Sequence, residues 1–549
     1  MMTKMAEIPA TQHAVQLVGP GELRLNTAKA VPTPGPHEIL VKVEAVGLCF
    51  SDLKLLKLFQ DHARKSEVVA GIDRAVLGEI QSYVPGDRPV VPGHEVVCRI
   101  VAVGDKVEHH KVGERCLVQT DYRQLPTAGG SAAAFGYNFD GGLQEYSLLD
   151  ERVVIAPNGD RFLIPVGEER SASAIALVEP WACVEDSYVT RERNHVKPGG
   201  RLLVVVAEGR EAVGVEASLA AEKPADVLHA APVDVARLTN ESFDDVIYFG
   251  SDKATIETLN DKLATGGIIN VVLGGKRIGS PVSVGVGRVH YGGTRWIGTT
   301  GDDASASYVN IPATGEIRPQ DRILIVGAGG PMGQMHVIRS VCLDLPGLSV
   351  VGTDFDGARL ETLRKKAEPL AHANHVGLRL VNSQRTQLDE RFTYFALMAP
   401  VAALVASAID DADDGAIINI FAGIPAPTKH ELDLDAYIEK RLFMFGTSGS
   451  TIDDMRIVLR KVEEAGFDTN ASVDAVSGMA GAIDGIACLE NRTLAGKIIV
   501  YPMLHDLGLV PLGELGARFP SVAAKLDGGK WTRAAEAELL RAAGRGNSR

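Results

Sequence analysis

Residues 321–342 read DRILIVGAGGPMGQMHVIRSVC, and this stretch decides the fold. The apolar run Ile323–Val326 is short and bounded by glycine, as a buried parallel strand is. The turn Gly327-Ala328-Gly329-Gly330-Pro331-Met332-Gly333 follows, and a helical pattern, QMHVIRSVCL, comes next. Glycine-rich turns of this kind let backbone approach a pyrophosphate, which then rests on the N-terminal dipole of the helix. A second apolar strand, LSVVGTDFD at 348–356, brings Asp354 to lie 21 residues beyond Gly333. An acid at that spacing accepts from a ribose 2′-hydroxyl and repels a 2′-phosphate, which favours NAD over NADP. The candidate cofactor-binding residues are Gly327, Gly329, Gly330, Pro331, Met332, Gly333, Asp354 and Arg359.

Working outward, the α/β texture begins near residue 195 and contains an internal repeat. Residues 200–212 (GRLLVVVAEGREA) match 321–333 (DRILIVGAGGPMG), and 266–274 (GGIINVVLG) match 415–423 (GAIINIFAG). Residues 295–301 (RWIGTTG) match 443–449 (FMFGTSG). The offsets are 121, 149 and 148 residues, so the first copy has lost about one helix and one strand early on. Its glycine turn is disabled, because Val206 and Glu208 stand where Gly327 and Gly329 stand in the second copy. Glu208 and Glu211 would set negative charge against a pyrophosphate, at a cost of several kcal/mol in a cleft of low effective dielectric. One cofactor per chain is therefore expected, on the second copy. The first copy is expected to pair with the second as two subunits of a dimer would.

The N-terminal third has a different texture. Residues 38–46 (EILVKVEAV) alternate like a half-buried strand, and 96–103 (VVCRIVAV) form an apolar run closed by the Gly104-Asp105 turn. A small irregular β-barrel up to about residue 155 is expected. At the other end, 451–500 carry a helical pattern (DDMRIVLRKVEEA) and the strand AGKIIVY, and 501–549 have helical pieces whose function is not readable.

The chain has 549 residues, 45% hydrophobic and 23% charged, with a formal net charge of −14. That is the balance of a multidomain globular protein, and its acidity disfavours nucleic acid and anionic lipid as partners. No apolar run is long enough to span a bilayer, and the N-terminus lacks a signal-peptide stretch, so a cytoplasmic protein is expected. Six cysteines, none in a C-x-x-C pair, argue against a disulfide framework and a four-cysteine metal site.

Four motifs remain: Gly47-Leu48-Cys49-Phe50-Ser51-Asp52, Pro92-Gly93-His94-Glu95, Val178-Glu179-Pro180 and the glycine turn at 327–333. Together they resemble the zinc-containing medium-chain alcohol dehydrogenases, specifically the sorbitol dehydrogenase and sorbose-phosphate reductase branch. The resemblance covers about 1–200 and 318–500. It implies a GroES-like catalytic domain at 1–196 with an insertion at about 57–90, a degenerate Rossmann-like unit at 197–317, and an NAD-binding Rossmann domain at 318–450. It further implies a return to the catalytic domain at 451–500 and a C-terminal extension at 501–549.

The residue types suit this chemistry, since a catalytic zinc takes three protein ligands and leaves a fourth position open. Cys49 and His94 supply sulfur and nitrogen, and the resemblance makes Glu179 or Glu95 the third ligand, the two exchanging as substrate enters. Asp52 would orient His94, and Ser51 would relay the alcohol proton. Many relatives carry a histidine where this chain has Lys54, which either ends the relay, meets an anionic substrate group or is simply solvated. Only Cys116 lies in the lobe that often carries a second zinc, so no structural zinc is expected. The segment 66–84 (SEVVAGIDRAVLGEIQSYV) has a helical pattern and is expected to roof the site or an interface.

The function expected is hydride transfer between NAD(H) and a secondary alcohol of a polyol, sugar or sugar phosphate, by a homo-oligomer or an internally paired chain. The alternatives are an epimerase or eliminase that retains NAD, and a non-catalytic redox sensor or scaffold.

Overall fold

The computed structural model describes residues 8–464 and 466–544. It divides into two compact units, residues 1–182 with 450–549 and residues 183–449. The helix Val178–Val189 runs across the first division.

The first unit is built on an eight-stranded sheet, mostly antiparallel, whose hub is the strand Glu38–Gly47. Eight of its ten residues are buried, because it is flanked on both sides and covered on both faces. It pairs antiparallel with Glu95–Val103, with Tyr146–Asp150 and, at its C-terminal end, with Lys497–Val500. The end strands of this order, Val510–Pro511 and Leu163–Pro165, are not paired with each other among the described residues. The register at the hub's end matters most: Gly47 faces Glu95 on one side and Ile499 on the other. A residue from position 499 thus closes a sheet begun at position 38, and the chain just beyond Gly47 sits between them.

The segment after Cys49 differs from its sequence pattern. Residues 66–84 do not form one long helix; only Arg74–Glu79 is helical. Gly71 explains much of this, since it has φ +87° and a Cβ there would lie 2.1 Å from the carbonyl oxygen of Gln124. Bridges between Val68 and Thr127 and between Tyr83 and Phe139 hold the segment down as loop.

The C-terminal extension is folded onto this unit. Trp531, Ala535 and Leu539 are buried, and the Glu536 carboxylate accepts from the amides of Ala172 (2.6 Å) and Ser173 (2.8 Å) and from the Tyr501 hydroxyl (2.8 Å). It thereby satisfies amides at the start of the helix Ala172–Ala176, which have no partner within that helix.

The second unit holds two parallel sheets. One has six strands in the order Gly377–Asn382, Ser349–Asp354, Arg322–Val326, Phe392–Leu397, Ala412–Asn419, Phe443–Phe445. The other has five, in the order Asp226–Ala230, Arg201–Val206, Phe243–Phe249, Leu263–Val272, Arg295–Thr299. In each, the strand that comes first in sequence lies inside the order, so the winding reverses beside it and leaves a crevice at the strand's carboxyl end. The helix Pro331–Val341 and the strand Gly377–Asn382 have no equivalents in the five-stranded sheet, where residues 207–225 carry a single 3-10 turn, Glu216–Ser218. No helix among the described residues is long and apolar enough to cross a membrane.

Replacing Glu536 by alanine leaves two buried amides and a buried hydroxyl without their acceptor. Urea unfolding should show a loss of about 3 kcal/mol, since hydrogen bonds to a charged group contribute about 1.5–3 kcal/mol each and are not additive.

Candidate functional site

Cys49, His94 and Glu95 come together at the end of the hub strand, their donor atoms all within 4.8 Å of one another. They are the one group of three or more His, Cys, Asp and Glu side chains so disposed among the described residues. Three local devices bring this about. First, Cys49 is the N-cap of the helix Phe50–Leu58, and its amide donates to the Asp52 carboxylate at 3.0 Å, closing a capping box. Second, the other oxygen of Asp52 lies 3.1 Å from His94 Nδ1, which fixes the ring and turns Nε2 towards Ser51 Oγ. Third, residue 47 is glycine because a Cβ there would lie 2.0 Å from Glu95 Oε2.

Glu95 is fully buried. One of its oxygens pairs with the buried Lys497 ammonium, which also donates to the Leu48 carbonyl at 2.8 Å. Burial opposes charge on Lys497, but Glu95 beside it outweighs that, and its pKa is raised. The other oxygen, Glu95 Oε2, is buried with no hydrogen-bond partner. An orphaned, buried carboxylate oxygen is costly unless a cation completes it, and this carboxylate belongs to the same cluster as the thiol and the imidazole.

Ser51 Oγ lies 3.1 Å from both Cys49 Sγ and His94 Nε2. The Tyr137 ring is tilted against that of His94, 5.7 Å between centroids. Tyr137 also meets two residues of the insertion, the His62 ring at 5.1 Å and the Arg64 guanidinium at 5.5 Å. Arg64 is ion-paired with Asp121. Burial, then Arg64 and Lys54, lower the His62 pKa to about 4, so this imidazole is neutral.

Of the residues expected from sequence, Cys49, Ser51, Asp52, His94 and Glu95 converge. Glu179 is buried nearby but outside the cluster; burial, with Glu95 and Asp121, holds its carboxyl above the usual range although His94 draws it down. Lys54 is exposed on its helix and acts on this neighbourhood only through its charge, towards His62. Lys497, Tyr137, Arg64 and Asp121 were not read from the sequence.

The glycine turn lies apart from these residues in the chain, on the six-stranded sheet. A cavity of about 510 Å³ opens at the carboxyl ends of its strands, lined by Gly327, Thr353, Asp354, Phe355, Ser383 and Leu397 among others. Gly327 has φ +84°, and a Cβ on Gly333 would strike the Gly327 carbonyl oxygen at 2.2 Å, so the turn and the helix after it are tightly apposed. Gly330 caps that helix and Pro331 opens it, with Met332 in its first turn. Asp354 accepts from the Gly329 amide at 2.9 Å and the Asp356 amide at 3.0 Å. Arg359 does not line the cavity but faces Asp356 at 3.6 Å.

Residues 35–158 match the family model described as the alcohol dehydrogenase GroES-like domain. Mannitol-1-phosphate 5-dehydrogenase of Aliivibrio fischeri is 23% identical over 61% of this chain and 84% of its own length. Sorbitol dehydrogenase of Ovis aries is 33% identical over a shorter stretch, 20% of this chain and 25% of the relative. Among solved structures, 2R,3R-butanediol dehydrogenase from Bacillus subtilis superposes with a TM-score of 0.50 over 90% of this chain and 100% of its own, at 16% identity, a likeness of fold. Residues 35–158 are thus similar to the GroES-like domain of alcohol dehydrogenases, and the chain is similar to polyol dehydrogenases over part of its length.

Proposed function

We propose that the protein is a zinc-dependent dehydrogenase that oxidises a secondary alcohol of a polyol, sugar or sugar phosphate with NAD. The single observation that carries the reading is the donor set: a thiol, an imidazole oriented by a carboxylate, and a buried carboxylate with one unsatisfied oxygen. Sulfur, nitrogen and oxygen in this mix suit zinc. Cys49, His94 and Glu95 would hold it, with Glu179 as the carboxylate that could replace Glu95. When bound, the ion supplies Lewis acidity that lowers the pKa of an alcohol beside it.

The chain's own groups account for the rest. Asp52 keeps the His94 proton on Nδ1, so that Nε2 stays a donor of electrons rather than of a proton. Lys497 anchors one Glu95 oxygen. Ser51 Oγ, beside Cys49 Sγ and His94 Nε2, is placed to take the alcohol proton and pass it on to solvent. NAD, which residues 327–333 would hold, would supply the hydride acceptor, so that oxidation would yield ketone, NADH and a proton. Arg64 and Asp121, a donor fork beside an acceptor, can hydrogen-bond hydroxyls beyond the reacting carbon.

We read the six-stranded sheet as the Rossmann domain that binds NAD, with Asp354 on the ribose. The five-stranded sheet is its degenerate copy. The turn that would face a pyrophosphate is filled by Arg210, which donates to the Leu273 carbonyl at 2.7 Å and pairs with Asp302 at 3.2 Å. This supports one cofactor per chain.

The test is NADH formation by the full-length protein across polyols, sugars and sugar phosphates, with and without chelator. Cys49→Ala should fold, lose its zinc by elemental analysis and lose activity by at least about a thousandfold, as loss of a Lewis acid worth several kcal/mol requires. Undiminished activity would sink the mechanism; a folded wild type that takes up no zinc would return the non-catalytic reading. Arg64→Ala should raise KM about tenfold for a polyol while leaving a simple secondary alcohol within a few-fold, because one hydrogen-bonding group is removed. Asp354→Ala should raise the KM for NAD by roughly ten- to a hundredfold and leave that for NADP unchanged or lower.

A further inference from the structure

The two sheets of the second unit meet in a way that the repeat offset makes readable. With a shift of 148 residues, the strand Val282–Val284 corresponds to His430–Leu432, and the helix Val286–Tyr291 to Leu434–Glu439. The strand Arg295–Thr299 likewise begins 148 residues before Phe443–Phe445. These corresponding elements contact one another. The two short strands form an antiparallel ladder in which Val282 faces Leu432, Ser283 faces Glu431 and Val284 faces His430. Ser283 and Glu431 are equivalents, so that residue meets its own counterpart. Each flanking pair becomes the other when the copies are exchanged.

The same exchange holds away from the ladder. A Cβ on Gly298 would come 2.7 Å from the Ile438 side chain, and one on Gly446 would come 2.9 Å from the Cα of His290. Gly298 is the equivalent of Gly446, and His290 of Ile438. The Tyr437 hydroxyl donates to the Trp296 carbonyl at 2.8 Å and accepts from the Met444 amide at 3.0 Å, again two equivalent positions on the edge strands. Contacts that pair i with j′ and j with i′ define an isologous interface about a two-fold axis. The apolar side chains across it, Val286, Val289, Trp296, Leu434, Ile438 and Met444 among them, belong to one continuous core shared by both sheets.

The copies have diverged elsewhere. The first lacks a helix where Pro331–Val341 holds the glycine turn, and a Cβ on Gly274 would lie 1.9 Å from the Arg210 guanidinium that fills its crevice. The nucleotide crevice was lost and the two-fold face was kept.

We propose that the five-stranded sheet is a built-in partner. It occupies the self-complementary face of the nucleotide-binding sheet, the face on which a second copy of that sheet would sit, so one chain forms the paired arrangement with a single dinucleotide site. The ladder Val282–Val284 with His430–Leu432 is therefore made within one chain, and the edge strand Phe443–Phe445 is not open to another molecule. This inference does not depend on the catalytic reading.

The full-length double variant Ser283→Cys/Glu431→Cys tests it. The Ser283 amide donates to Glu257 rather than to the ladder, so positions 283 and 431 form the non-hydrogen-bonded pair, whose close Cα atoms suit a disulfide. Oxidation should yield an intrachain disulfide, seen by non-reducing electrophoresis and intact mass, with a yield unchanged on about a hundredfold dilution, as an intramolecular event requires. A two-chain product, or free thiols at both positions in a protein with native circular dichroism, would overturn the proposal. Hydrogen exchange on the wild type gives a second reading that needs no variant. Protection of the amides of Val282, Val284, His430 and Leu432 should be independent of protein concentration, and its loss on dilution would equally overturn the inference.

Discussion

The buried ion pair between Glu95 and Lys497 is the constraint on which the rest of the site depends. Its members lie 402 residues apart in sequence. Both are inaccessible to solvent, so neither can tolerate the other's absence: breaking such a pair costs about 3–5 kcal/mol, whereas forming it gains little. The pair therefore acts less as a source of stability than as a latch. The hub strand ends correctly only when Lys497–Val500 has returned to flank it, and only then does Glu95 hold one oxygen tied and one oxygen turned free.

Around that latch, each acid has a defined task set by its partners. Asp52 serves two donors at once, the Cys49 amide and the His94 ring, which couples the direction of a helix to the tautomer of a histidine. Asp121 is committed to Arg64. Glu179 is buried beside other acids, and its carboxyl is held above the ordinary range by that burial. The geometry separates carboxylates that organise from those left able to bind a cation, although all have the same chemistry in isolation.

Much of this was legible in the chain. Cys49, Ser51, Asp52, His94 and Glu95 sit in two short runs whose residue types already suggest a donor set. The glycine turn and Asp354 follow a spacing imposed by strand, turn and helix geometry. What was not legible depends on long-range register. Lys497 sits at the start of a fully buried strand, and a lone cation in the run AGKIIVY was a signal, but nothing local names its partner. Tyr137 and Arg64 come from loop and insertion, where periodicity carries no information. The helical pattern at 66–84 was overridden by a close backbone approach at Gly71, which tertiary contact sets and sequence periodicity does not register. Of the two candidate carboxylates, Glu95 is the one that the fold groups with the Cys49 and His94 donor atoms among the described residues, a proximity invisible before folding.

The reciprocal glycines at 298 and 446 carry a consequence for how such a molecule changes. In a homodimer encoded by one gene, any substitution at a two-fold contact appears on both sides simultaneously, and a bulky residue must be accommodated twice. Here the two positions are separate codons. A Cβ on Gly446 would meet the Ile420 carbonyl oxygen at 2.7 Å and one on Gly298 the Val271 carbonyl oxygen at 2.8 Å, so backbone restricts both sites, while the second neighbour is the His290 backbone at one and the flexible end of Ile438 at the other. Covalent linkage makes the two sides of this two-fold face independently heritable, so a substitution on one side need not be matched on the other.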